Sequence, residues 1–456
     1  MVDVALNASP TPDTAGADVR VLQIEGGIQL RGEVEIGGAK NAALPLIAAT
    51  LLTADDCTLT NVPDLSDVHT MAELLRSLGA EVEFDTKRRR LRVRASNITT
   101  TSAPPELVAK MRASFLVAGP LLARFNETTA STPGGCKLGA RPVDVDVRGF
   151  RKMGAEIEAT EQVITARTAG LHGARIYMDY PSHTGTENLL MAAVLAAGKT
   201  TIVNAACEPE IVALGNMLNR MGAQISGLGS PMIVVQGVDR MHGVSEMILP
   251  DRLEAGCYAI GAVITGGEVT LRGVREPDML PLTEKLREAG AEVWHQDNDM
   301  LVRAVQPLQS VEIQTLPFPG FPTDLQAPFA VLMTQAHGLS RIHERVFDDR
   351  LRYTDELVKM GADVRVEKFS ATRYGTKADI MGPTPLTGTH VRALDIRAGA
   401  GMVLAGLVAG GQTTVSDVYH LDRGYEGLVP KLRQIGAQIT EIASPEQRSL
   451  PTGQGV

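Results

Sequence analysis

Residues Pro133 to Asp144 read PGGCKLGARPVD, with one cysteine, Cys136, among residues that cannot continue a helix or a strand. Pro133 and the Gly134-Gly135 pair break both periodicities, so the segment is expected to be a loop that exposes the thiol. Lys137 follows directly and Arg141 lies five positions on. Cationic neighbours favour a thiolate, or reversible proton exchange near neutral pH, which is the chemistry of a general acid, a base or a nucleophile. The competing reading is a small apolar side chain on a surface turn, since free cysteines usually belong to cores.

A second group of polar and charged residues recurs just ahead of apolar stretches. These are Lys40-Asn41, Lys110-Met111-Arg112, Ser182-His183-Thr184, Asp251-Arg252, Thr323-Asp324 and Asp395-Ile396-Arg397. Each would stand at a helix N-terminus, where free backbone N–H groups and the positive dipole end favour anions; several such ends converging on a cleft would make an anion site. Ordinary capping accounts for Ser182, Thr184 and Asp251. It does not call for Lys40, Arg112, Arg252 or Arg397.

The elements that must position these residues come from a repeat. Helical periodicity runs into an aliphatic-Gly-Ala-x-aliphatic signature at Gly79, Gly154, Gly222, Gly290, Gly361 and Gly436, a period of about 70 residues. The glycine suits a helix C-terminus with positive φ, and the alternation after it predicts a strand. Upstream of each lies an apolar helix, expected at 41–52, 113–123, 187–197, 253–264, 325–335 and 399–409. Strands are expected between the paired helices, as at 57–61, 200–204, 268–272 and 413–416. The unit is strand, helix, strand, helix, strand, strand. Because the upstream helices are apolar on nearly every face, they belong inside, with sheets and amphipathic helices around them. The fold class is therefore α/β, a two-domain inside-out α/β barrel of six βαβαββ units, three per domain. The opening strand pair, 19–24 and 28–36, is expected to complete the last unit. That gives a tail at 1–18, one domain from 19–40 plus 250–443 carrying Asp324 and Arg397, a second from 41–249 carrying the Cys136 loop, and a flexible tail at 444–456.

Composition sets wide limits. The 456 residues are 44% apolar, which suits a large core, and no apolar run reaches the roughly 20 residues of a membrane span. A formal charge of −9 argues against bulk nucleic-acid binding while leaving room for a local basic pocket. The four cysteines lie far apart without ligand spacing, so neither a zinc site nor a disulfide framework is suggested and a reducing cytoplasm is the default.

Several motifs together carry a resemblance. GGAKNAALP from Gly37, MRAS from Met111, the cysteine loop, EPEIV from Glu208, LPDR from Leu249, FPTDLQA from Phe321, ALDIRA from Ala393 and LDRGYE from Leu421 resemble the enolpyruvyl transferases, in particular the branch acting on UDP-N-acetylglucosamine. The resemblance spans about Leu30 to about Ile442. It implies transfer of the enolpyruvyl group of phosphoenolpyruvate to the sugar 3-hydroxyl with release of phosphate, the first committed step of peptidoglycan synthesis, with no metal or cofactor. By similarity Cys136 protonates the vinyl methylene and would be alkylated by the epoxide fosfomycin, while Asp324 takes the hydroxyl proton. Lys40, Arg141 and Arg423 match phosphate ligands, Arg350 and Arg397 face the donor carboxylate, and Asn41 and Asp395 match positioning residues. For the nucleotide sugar the matching positions are Arg112, the run Arg141, Pro142, Val143, Asp144 and Val145, then Ser182, His183, Asp324 and Val346. Glu208 and Glu210 match residues near the cleft, with holding of arginines as an equal alternative.

Two positions depart from the pattern. Tyr180 and Ser66 stand where many or some relatives carry lysine, which leaves the nucleotide grip less defined than the donor grip. Lys87 to Arg90 reads as a solvated hairpin tip. Three competing readings stay open: transfer to shikimate 3-phosphate on the same fold, transfer to another uridine nucleotide, and a non-catalytic binder of UDP-N-acetylglucosamine. Neither oligomeric state nor resting conformation can be read from these residues.

Overall fold

The computed structural model describes residues 20–131, 143–160, 162–368 and 375–443. The expected terminal tails, and Cys136, Arg141 and Pro142, lie outside these residues. Within them the chain forms five four-stranded sheets and one three-stranded sheet. A representative sheet pairs Asp56–Thr60 antiparallel with Arg90–Arg94, which pairs antiparallel with Glu81–Asp85. Ser245–Met247 joins it as a parallel edge strand. Cys57 and Leu59 are buried on one face of this sheet, the period-2 pattern of a strand backed by helices on one side.

Six apolar helices lie inside: Lys40–Ala49, Ala118–Phe125, His183–Ala193, Arg252–Ile264, Gln326–Gln335 and Ile396–Val408. Short 3-10 turns extend three of them, at Thr50–Leu52, Arg112–Val117 and Thr323–Leu325. The third helix starts four residues before the expected Glu187. Ser182 caps it by accepting the Gly185 N–H at 3.2 Å, so the polar His183-Thr184-Gly185-Thr186 segment is its first turn rather than a loop. All six signature glycines have φ between 94° and 105°, where a Cβ would be strained, and each ends a surface helix before the next strand.

The two opening strands behave differently from the expected pair. Arg20–Glu25 lies between Gln412–Ser416 and Gln438–Ala443, completing the last sheet. Arg31–Glu35 instead runs parallel to Glu268–Arg272 in another sheet, so the two do not form a hairpin. The hydrogen bond from the Gly27 N–H to the Leu407 carbonyl ties the connection to the sixth buried helix, which separates the strands.

Buried side chains fall into two apolar cores. One gathers Leu22–Ile36 with Leu253–Ile439, the other Ala39–Leu249. The chain passes between them at two adjacent points. Gly38 bridges Pro250, the Ala39 N–H donates to the Leu249 carbonyl at 2.8 Å, and the Asp251 N–H donates to the Gly37 carbonyl at 2.8 Å. Among the described residues no helix is long and apolar enough to cross a membrane.

Gly38 leaves no room for a side chain, since an added Cβ would lie 1.9 Å from the Asn61 carbonyl oxygen. Gly38→Ala is therefore expected to cost about 1–3 kcal/mol, measured by chemical denaturation; an unchanged midpoint would contradict the tight crossing.

Candidate active site

Lys40 opens the first buried helix and is 8% exposed. Its Nζ lies 3.3 Å from Asp67 Oδ2, and Asp67 Oδ1 accepts a hydrogen bond from Arg423 Nε at 2.9 Å. Asp67 sits in the first turn of the helix Ser66–Ser77, and Arg423 ends the 3-10 turn Val418–Arg423 beside the other core. One carboxylate thus joins two cations from different cores. Burial holds the Lys40 ammonium below its usual pKa; Asp67 opposes that, while Arg397 and Arg423 add to it. Asp67 was not foreseen, because an acid in the first turn of a helix reads as an ordinary partner of the dipole.

A second carboxylate nearby also joins two cations, here both from one core. Asp324 Oδ1 accepts from Arg350 Nη2 at 3.1 Å and Oδ2 accepts from Arg397 Nε at 2.9 Å. Both arginines are 3% exposed. Burial pushes the Asp324 pKa up, but Arg397, Arg350 and Lys40 outweigh it and hold the carboxyl far below the usual range. Its ionised state is therefore set chiefly by arginines, rather than by the helix terminus expected from sequence. Asp395 caps the sixth buried helix through the Arg397 and Ala398 N–H groups at 2.7 and 3.0 Å, and also stands 3.9 Å from Arg350 Nη1. Arg397 lies over the Tyr425 ring at 5.1 Å, and its buried Nη1 finds no hydrogen-bond acceptor among the described residues. A desolvated cationic donor of this kind favours a bound anion.

The positions expected to hold a nucleotide sugar lie around the third buried helix. Val145 packs so closely on Gly185 that a Cβ there would be 2.8 Å from its Cγ1. Val143 is buried just before the helix Asp144–Lys152, and Asp144 pairs with Arg148 at 3.2 Å. Arg112 lies near buried Asp146, which burial pushes up to about 6 against the hydrogen bond from Asn188 and the charge of Arg112. His183 faces Glu187 and Glu210. Glu210 accepts from Arg252 Nε at 3.0 Å, so at this position the arginine-holding alternative describes the contact. The Val346 N–H donates to Glu344. Asn41 is half-buried beside Lys40. Ser66 Oγ donates to the Asp422 carbonyl at 3.5 Å, a contact between the cores. Tyr180 is 38% exposed at the start of the same segment as Ser182.

The basic hairpin tip is more than solvated. Arg89 has φ 48° and pairs with Glu426 at 2.6 Å, whose other oxygen accepts the Asp64 N–H at 2.9 Å. The turn is a hairpin connection as expected, but it fastens one core to the other. A cleft of about 150 Å³ opens beside Arg350 and Asp395, walled also by Arg352, Arg392, Tyr419 and His420. It reaches the Asp324 cluster and not Lys40 or Asp67, so the charge geometry, rather than that cleft, defines the site.

Asp324→Asn would leave Arg350 and Arg397 buried without a full countercharge. The folded pKa of Asp324 is depressed, so its ion pairs stabilise the fold above the ordinary carboxylate pKa of about 4. That contribution is lost only as pH falls through the lower folded value. At pH 7 the substitution is expected to cost about 3 kcal/mol in thermal or denaturant unfolding, with part regained in added inorganic phosphate. Wild-type stability would contradict the assignment.

The profile of the EPSP synthase (3-phosphoshikimate 1-carboxyvinyltransferase) family matches residues 24–432. UDP-N-acetylglucosamine 1-carboxyvinyltransferase 2 of Carboxydothermus hydrogenoformans is 49% identical over 422 residues, covering 92% of this chain and 99% of that protein. The UDP-N-acetylglucosamine 1-carboxyvinyltransferase of Coxiella burnetii is 48% identical over 428 residues, covering 93% and 96%. Among solved structures, the enolpyruvyl transferase NikO from Streptomyces tendae superposes with a TM-score of 0.84 at 24% identity, covering 94% of this chain and all of that one. The chain therefore belongs to the enolpyruvyl transferase family described by that profile, among the relatives of UDP-N-acetylglucosamine 1-carboxyvinyltransferase.

Proposed function

We propose that this protein transfers the enolpyruvyl group of phosphoenolpyruvate to the 3-hydroxyl of UDP-N-acetylglucosamine and releases phosphate. The observation that carries the reading is the sharing of Asp67 by Lys40 and Arg423, one from each core, beside the Arg350, Asp324 and Arg397 cluster. The donor carries a phosphate and a carboxylate, and this arrangement offers cations for both. Lys40 and Arg423, with Arg141, are assigned to the phosphate, and Arg350 and Arg397 to the carboxylate. Asn41 and Asp395 position them. Arg112, Arg141 to Val145, Ser182, His183, Asp324 and Val346 are assigned to the nucleotide sugar.

The reaction is addition followed by elimination. Cys136 delivers a proton to the vinyl methylene, the sugar oxygen bonds to the central carbon, and Asp324 takes the hydroxyl proton. Loss of phosphate and of a methyl proton then restores the double bond, with the cations stabilising developing charge throughout. A carboxylate held by two arginines is a weak base. When the donor carboxylate engages Arg350 and Arg397 it withdraws that stabilisation, so Asp324 becomes more basic as the substrate arrives.

The same reading assigns two domains, 19–40 with 250–443 and 41–249, as three units each of an inside-out barrel, supported by the two cores and the paired crossing at Gly38 and Pro250. Action in the cytoplasm, in peptidoglycan synthesis, follows from the substrates.

Phosphate release from phosphoenolpyruvate, followed with and without UDP-N-acetylglucosamine, tests the function. Release is expected only with the nucleotide sugar, and Cys136→Ser is expected to lower kcat by about 100-fold or more while leaving sugar binding within several-fold. Release with shikimate 3-phosphate instead, or binding without turnover in the wild type, would contradict the proposal.

A further inference from the structure

Around the first turn of the third buried helix lies a titratable cluster that takes no part in the proposed proton transfers. His183 Nδ1 is 3.6 Å from Glu187 Oε1, one turn on, and Nε2 is 4.0 Å from Glu210 Oε2. Glu187 is 1% exposed, and its Oε1 makes no hydrogen bond among the described residues. Charged groups approach from every side. Glu208 and Glu210 come from the start of the helix Pro209–Arg220, Asp251 and Arg252 from the fourth buried helix, and Asp278 from the helix Glu276–Glu288. Asp146, with Arg112 beside it, comes from the other flank. Three carboxyl groups, Glu187, Glu208 and Glu210, thus act on the imidazole with Arg252 among them, while Asp278 in the same cluster pairs with Arg275 at 3.4 Å, in a region where desolvated charge is expensive.

The cluster also spans the two cores. Glu210 holds Arg252 through Nε at 3.0 Å and Nη2 at 3.4 Å, and Glu208 Oε1 accepts the Phe318 N–H at 3.4 Å. Arg252 and Phe318 belong to the part of the chain packed in the other core, so His183 touches both the nucleotide-sugar segment and a link between cores. Burial pushes the Glu187 carboxyl up to about 8. Burial alone would lower His183, but Glu187, Glu208 and Glu210 outweigh it and raise the imidazole above its ordinary value.

We propose that His183 and Glu187 form a buried ion pair that holds one proton between its two members, and that this pair positions the nucleotide-sugar segment against the Glu210–Arg252 link, making acceptor affinity proton-linked. The inference rests on the functional reading above. With the proton in place the pair is neutral overall and the helix N-terminus keeps its attraction for a diphosphate. As pH rises and the proton passes to solvent, a buried carboxylate is left under that terminus and the imidazole no longer offsets Glu210. Affinity for the anionic acceptor then falls.

Calorimetric titration of UDP-N-acetylglucosamine from about pH 6 to about pH 8.5, alongside NMR titration of the His183 imidazole, tests this. In the wild type Kd is expected to weaken by about five-fold or more over that range, with the imidazole titrating well above its ordinary midpoint of about 6.5. Glu187→Gln is expected to flatten the Kd profile to within about two-fold and to lower the imidazole midpoint. His183→Gln, which keeps the carboxyl, is expected to shift the profile rather than abolish it. Parallel Kd profiles in wild type and Glu187→Gln, or an imidazole with an ordinary midpoint, would overturn the proposal. If the wild type binds no nucleotide sugar at any pH, the functional reading fails together with the acceptor linkage, and the imidazole titration alone decides whether the shared proton exists.

Discussion

Buried cations need countercharge, and here two carboxylates are each shared by two of them. Asp67 serves Lys40 and Arg423, and Asp324 serves Arg350 and Arg397. Removing a shared carboxylate strands two charges instead of one, which is far costlier than losing a surface pair. Among the described residues the buried Arg397 Nη1 has no hydrogen-bond partner.

The fold supplies this balance through helix ends. Asp395 spends one oxygen on two backbone N–H groups of the sixth buried helix, which fixes Arg397 at its second position. Asp251 caps the fourth in the same way, placing Arg252 for Glu210. Near Asp324, buried Glu344 accepts from Thr323 Oγ1 at 2.9 Å and from the Phe347 N–H at 2.9 Å, fastening the turn that carries the carboxylate to the strand Gly338–Glu344. Capping and the placing of buried charged side chains are thus one device, used at several repeats of the same unit.

Much of this was legible from residue types. The six glycine signatures located the ends of six surface helices, because a positive φ is a local demand that only glycine meets without strain. Apolar composition on all faces located the buried helices, although their starts shifted wherever a polar first turn was capped, as at Ser182. Other features depend on tertiary pairing and leave no local trace. The two opening strands separate because each finds a different sheet, and Arg89 leaves solvent for Glu426 across the cores. Asp67 was missed for the same reason: only the fold brings Lys40 and Arg423 to one carboxylate.

The central claim is that Lys40 and Arg423, from separate cores, act as one unit on the donor. The most direct measurement is a double-mutant cycle on the dissociation constant of phosphoenolpyruvate, using Lys40→Met, Arg423→Met and the pair, with the nucleotide sugar present. Coupling of about 1 kcal/mol or more is predicted for two groups in one ion-pair network. Losses that add within about 0.3 kcal/mol, or no effect of either substitution on donor binding, would contradict it.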